Sequence, residues 1–116
     1  MTALRDRRCG PSVGIARLDD TQVAAHLAQL DGWVLAQGAI EKTFRFSDHH
    51  RTMAFVNALA WISHTQDHHP ELGVTYAGCR VRYDTHTVHG LSINDFICAA
   101  KADAMVAATT EPRPAT

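Results

Sequence analysis

Three cysteines in 116 residues, Cys9, Cys79 and Cys98, are too few and too odd in number for a disulfide framework, and no Cys-x-x-Cys pair offers a thiolate metal knuckle. Long apolar runs are missing as well. No stretch approaches the roughly 20 residues that cross a bilayer, and Arg7-Arg8 leads into Cys-Gly-Pro-Ser-Val-Gly rather than the apolar segment of a secretory signal. An excess of one charge is also lacking: 11 Lys and Arg against 12 Asp and Glu leave a formal net charge of -1. The basic run Arg5, Arg7, Arg8 is short and broken by Asp6, so phosphate binding by bulk charge has little support. These absences lead us to expect a cytoplasmic protein with no membrane association and no direct nucleic-acid contact. Internal repeats and low-complexity segments are absent too, and 46% hydrophobic against 20% charged residues is the composition of a folded globular chain.

The expected organisation is one domain over residues 18–109, between a flexible N-terminal tail, 1–17, and a flexible C-terminal tail, 110–116, that contains two prolines. Within the domain, Asp19, Asp20 and Thr21 offer caps for a helix whose Val23, Leu27 and Leu30 share a face, with Gly32 as its end. Trp33 to Leu35 and Ile40 to Phe46 read as strands joined at Gln37-Gly38. Ser47 or Asp48 can cap a long helix whose stripe of Phe55, Leu59 and Ile62 runs toward Thr65, and Pro70 forbids its continuation. Alternation at Leu72, Val74 and Tyr76, and again at Cys79, Val81 and Tyr83, predicts a second hairpin turning at Ala77-Gly78. Ser92-Ile93-Asn94-Asp95 resembles a capping box, with Asp in place of the usual Glu, opening a last helix. The fold class is α+β, in the order α-β-β-α-β-β-α: a four-stranded antiparallel sheet with three helices on one face. An exposed sheet edge in such a layer favours self-association.

What the chain has in abundance is histidine. Five of its eight lie between His64 and Asp95, including Asp67-His68-His69-Pro70 and Asp84-Thr85-His86. Imidazole titrates between about pH 5 and 8, so clustered rings give and take protons near neutrality. The tight second hairpin returns the end of the last strand to the level of Pro70, which lets His68, His69 and His86 converge. His64-x-x-x-His68 is also a known zinc-ligand spacing on helices, but His64 has no neighbouring Glu to act as a base, and the metal-free reading is the stronger. His49, His50 and His89 read as solvated side chains, and Cys79, Cys98 and Trp33 as core.

His64-x-x-x-His68-His69-Pro70, followed by Tyr76, His86, Gly90-Leu91-Ser92 and Asp95, resembles the signature of the pterin-4a-carbinolamine dehydratases, with likeness from about residue 18 to 106. The resemblance implies three helices on a four-stranded antiparallel sheet, assembled as a homodimer or homotetramer. It implies a hydro-lyase with no metal and no organic cofactor, one that removes water from 4a-hydroxytetrahydrobiopterin to give the quinonoid dihydropterin and so recycles the cofactor of aromatic amino-acid hydroxylases. By the same resemblance His68 and His86 are candidates for general acid and base and His69 orients the pterin. Asp67 is a candidate to hold an imidazole tautomer, and Pro70 and Thr85 to line the substrate pocket. Many family members carry Glu where His64 stands and an aromatic residue near Leu72. Relatives of this fold also serve as non-catalytic binding modules, a dimerization partner of a transcription factor or a carboxysome assembly chaperone; retention of all three histidines favours catalysis.

Overall fold

The computed structural model describes residues 2–109. The first main helix, α1 (Asp20–Leu27), starts on a reciprocal capping box, with Asp19 Oδ1 accepting from the Gln22 N–H at 2.8 Å and Gln22 Oε1 from the Asp19 N–H at 2.9 Å. It stops at Leu27, short of the expected Gly32. The Gln29 and Leu30 amides reach back only three residues, to His26 and Leu27, and this tightening ends the helix before Gly32 takes its left-handed φ of 82°.

Strands β1 (Val34–Ala36) and β2 (Ala39–Arg45) form the first hairpin as expected. Both loop residues are left-handed, Gln37 at φ 50° and Gly38 at φ 80°, the two-residue turn whose twist matches its strands. Glutamine is a poor occupant of that conformation. Gln37→Asn is therefore expected to stabilise the fold by about 0.5–1 kcal/mol, a Tm rise of roughly 3–6 °C in a circular-dichroism melt; an unchanged or lower Tm would contradict this account of the turn.

Helix α2 (His49–Gln66) is capped by Asp48, which accepts from the Arg51 N–H at 2.8 Å. Its buried positions, Thr52, Phe55, Leu59 and Ser63, form a helical stripe. At its end Asp67 turns left-handed (φ 50°, ψ 44°), the Asp67 N–H bonds His64 O and the His68 N–H bonds Ser63 O at 3.2 Å. That nested pair is the Schellman closure, here on Asp rather than the usual glycine, and it fixes how the chain leaves the helix at His68. Strands β3 (Glu71–Thr75) and β4 (Gly78–Tyr83) follow Pro70, and α3 (Ile93–Thr109) ends the described chain. The turn falls at Tyr76-Ala77, one residue earlier than the alternation suggested.

The sheet is antiparallel throughout, in the order β1-β2-β4-β3, and with the three helices it makes the expected α+β layer. Ile40 and Phe44 of β2 and Cys79, Val81 and Tyr83 of β4 meet Phe55, Leu59, Phe96, Ile97 and Ala102 in the core. Lys42 shares the inward side of β2 because its ammonium is satisfied: Nζ lies 2.8 Å from Asp103 Oδ1 and 4.9 Å from the Phe44 ring centroid, while Trp33 Nε1 donates to Asp103 Oδ2 at 2.9 Å. On the opposite face Arg82 pairs with Glu41 at 2.6 Å across the register that sets them side by side.

One expectation needs correction. Within the stretch 1–17, expected to hang free as a tail, the segment from Leu4 to Gly10 is docked along α3. Leu4 is buried in the core, and Lys101 Nζ donates to Arg5 O at 2.8 Å. The Cys9 N–H donates to Gln66 Oε1 at 2.9 Å, and the Gly10 backbone exchanges two hydrogen bonds with the Asn94 amide at 3.0 and 2.9 Å. Gly and Pro in this stretch hid the docking, because its partners are side chains more than fifty residues away. The expected tail 110–116 lies outside the described residues.

Candidate functional site

Three backbone devices meet at one point of the fold: the Schellman end of α2, the exit of β4 and the start of α3. The first delivers His68, which is buried, its ring parallel to that of Tyr83 at a centroid distance of 5.9 Å and an interplanar angle of 11°. The third delivers Asp95 in the first turn of α3, where a carboxylate is favoured by the free amides and the helix dipole. His68 Nε2 and Asp95 Oδ1 are 2.6 Å apart, a short, charge-assisted contact. The second delivers Thr85, whose hydroxyl donates to Asp95 Oδ2 at 2.8 Å.

Asp95 gathers further donors. Asp95 Oδ2 also accepts the Ser92 N–H at 2.9 Å, which is one limb of the expected capping box. The other limb is diverted: Ser92 Oγ lies 2.6 Å from Thr85 Oγ1, and since the Thr85 proton goes to Asp95, Ser92 is the donor there. Burial alone would push the His68 imidazole down. The bond to Asp95 and the charges of Asp95, Cys9 and Asp84 outweigh it and hold His68 above its ordinary value, so the protonated ring is favoured. The Tyr83 phenol beneath it, pushed far up by burial, stays neutral and has no hydrogen-bond partner among the described residues.

His68 and Thr85 thus sit inside one network. His69 and His86, each the next residue in the chain, are exposed, and the His86 ring lies 6.1 Å from that of His89 in the loop that Thr85 and Gly90 close with a 2.8 Å bond. Pro70 is half-buried; Asp67 is exposed, serving as the left-handed end of α2. The carboxylate that meets an imidazole is Asp95 rather than Asp67. His64 stands apart, its ring 5.7 Å from Trp61, and His49 stacks on Tyr76. In the sequence Asp95 and Ser92 carry a helix-start signal and stand in the family signature, but neither mark indicates that Asp95 binds a histidine 27 positions earlier. A groove of about 540 Å³ lies elsewhere, between the N-terminal segment, α2 and α3, and is lined by Arg5, Trp61, Ile62, Lys101 and Met105 among others. Among the described residues no three His, Cys, Asp or Glu side chains gather closely enough to hold a metal ion, and no helix is long and apolar enough to cross a membrane.

An α+β layer with a buried histidine–carboxylate pair where α2, β4 and α3 meet defines the class. The family model described as Pterin 4 alpha carbinolamine dehydratase matches residues 16–105, and the chain belongs to that family. A protein of Stenotrophomonas maltophilia, provisionally named a pterin-4-alpha-carbinolamine dehydratase, is 53% identical over 105 residues, covering 88% of this chain and 90% of that one. One of Xanthomonas campestris pv. campestris, provisionally named alike, is 56% identical over 102 residues, covering 85% and 86%. A solved structure from Brucella melitensis, described as a transcriptional coactivator/pterin dehydratase, superposes with a TM-score of 0.75 at 30% identity, covering 78% of this chain and 98% of that one. These relatives support a dehydratase-type function.

Proposed function

We propose that the protein is a 4a-hydroxytetrahydropterin dehydratase acting by general acid and base, with His68, His69 and His86 as its catalytic side chains. The reaction breaks the C4a–O bond, takes the hydroxyl away as water once it receives a proton, and forms a C4a=N5 double bond as N5 gives up its own proton. Acid and base near neutrality suffice, and neither a metal nor an organic cofactor has a step to perform. The observation that carries this reading is the buried His68–Asp95 pair, tied by Asp95 Oδ2 to the hydroxyl of Thr85, the residue that precedes His86. Asp95 favours the imidazolium, which suits His68 to proton donation, and the exposed rings of His69 and His86 are open to a substrate. Asp67, Pro70 and Thr85 belong to the substrate-binding rim in this reading. Assembly as a homodimer or homotetramer and a cytoplasmic setting belong to it as well.

The test is direct assay of carbinolamine dehydration on purified protein with and without a metal chelator. Turnover is expected to be unchanged by chelator. Loss of turnover that zinc restores would move support to a metal-dependent reaction. A second reading, a non-catalytic protein-binding module, is favoured by the coactivator name of the Brucella neighbour and by Trp61 of α2, 67% exposed at the groove. No dehydration above the uncatalysed rate would favour it.

A further inference from the structure

The docked N-terminal segment carries a thiol that the proposed chemistry does not use. Cys9 Sγ lies 3.4 Å from Cys98 Sγ and 3.7 Å from the Asn94 carbonyl oxygen. The approach is held from both sides, because the Cys9 amide is bound by Gln66 and the next residue, Gly10, by Asn94. Cys98 is fully buried in α3 one turn beyond Asp95, whereas Cys9 is half-buried and open to a small oxidant. The third cysteine, Cys79, is buried in β4 with its thiol 3.9 Å from Arg80 O.

We propose that Cys9 and Cys98 are a peroxide-responsive thiol pair, converted by hydrogen peroxide or an organic hydroperoxide into a disulfide that staples the N-terminal segment to α3 beside the His68–Asp95 pair. The electrons balance in two steps. The Cys9 thiolate attacks the terminal peroxide oxygen, the O–O bond breaks, and the leaving hydroxide, or alkoxide from an organic hydroperoxide, takes a proton to become water or an alcohol, leaving a Cys9 sulfenic acid. Cys98 sulfur then attacks the Cys9 sulfur, the S–O bond breaks, and the departing hydroxide takes the Cys98 proton to become water. Two thiols lose two electrons and one peroxide gains them.

The division of labour follows from the surroundings. The hydrogen bond from Cys98, with the charges of His68 and Lys101, outweighs burial and holds the Cys9 thiol below its ordinary value, while the bond to Cys9 and burial hold Cys98 well above. Cys9 is the attacking thiolate and Cys98 the resolving thiol. The sulfurs have only to close from 3.4 Å to the bonded distance of about 2.05 Å.

The experiment is peroxide treatment of the reduced full-length protein, followed by non-reducing peptide mapping, intact mass and a thermal melt. The expected result is a monomer lighter by two hydrogen atoms, a Cys9–Cys98 linked peptide that persists in Cys79→Ser and is absent from Cys9→Ser, and reversal by a dithiol. Because the bridge closes a loop spanning 89 positions, Tm should rise by roughly 10 °C on oxidation. Cys9→Ser alters only a half-buried side chain, so the comparison does not depend on substituting the buried Cys98. A bridge to Cys79, a bridge between two chains, a Cys9 oxidised to sulfinic acid with Cys98 still free, or no change of mass would each overturn the assignment.

Discussion

His86→Ala is expected to lower kcat/KM for dehydration of a 4a-hydroxytetrahydropterin by roughly 10²- to 10⁴-fold while leaving Tm within about a degree or two of the wild type. The two halves of that expectation have separate grounds. His86 is exposed and among the described residues its ring neighbour is His89, 6.1 Å away between centroids, so its removal opens no cavity and orphans no buried group. Its proposed task, by contrast, is proton transfer, where a positioned imidazole has no nearby substitute. His69→Ala is expected to act in the same direction. If His69 and His86 serve one proton-transfer step, the double variant will lose far less than the product of the two single losses, because removing the second ring from a disabled site changes little. Initial-rate measurements on the three variants decide the matter. Turnover of His86→Ala within a few-fold of wild type would remove it from the catalytic set, and strictly multiplicative losses would mean that the two rings act in different steps.

The elements that were legible in the sequence are those whose signals are local. Asp19 and Asp48 cap the helices they precede, Gln37-Gly38 makes the first turn, and Pro70 separates α2 from β3. The second turn was displaced by one residue for a physical reason: Gly78 was read as a turn glycine, but it is the first residue of β4. It is paired there with both Arg45 and Thr75, and a Cβ at Gly78 would stand 3.1 Å from the Phe44 carbonyl oxygen. Its smallness serves a close approach between strands, which has the same letter in the sequence as a turn does. The same limit applies at the site. His68 is legible from the clustering of histidines and Thr85 from the resemblance, whereas Asp95, though part of that signature, shows only a local role at the start of α3 and not its bond to His68, and the docking of Cys9 and Gly10 has no signal at all. Both depend on partners brought from remote positions, and no periodicity or cap reports those.

Asp95→Ala should cost about 3–5 kcal/mol, a fall in Tm of roughly 10–20 °C, since it leaves a buried imidazole, a buried hydroxyl and the Ser92 amide without their common acceptor. Asp95→Asn is the more informative change, because it keeps the size of the side chain and removes the charge. In the wild type the folded protein holds the His68 proton more tightly than the unfolded chain, whose reference value is 6.5. The stability this contributes is fully present below pH 6.5 and is lost as pH rises through the higher folded-state value. In Asp95→Asn burial, which favours the neutral ring, is the largest remaining influence on His68, opposed by the smaller effects of the Cys9 and Asp84 charges. The difference in Tm between wild type and variant is therefore expected to be largest at acid pH and to shrink as pH rises across about 5 to 8, the groups common to both proteins cancelling. A merely structural Asp95 would give a difference independent of pH. The same sign carries into catalysis. If His68 donates its proton, the alkaline fall in kcat will move to lower pH in Asp95→Asn, and an unshifted profile alongside a lowered Tm would leave Asp95 a support of the fold alone.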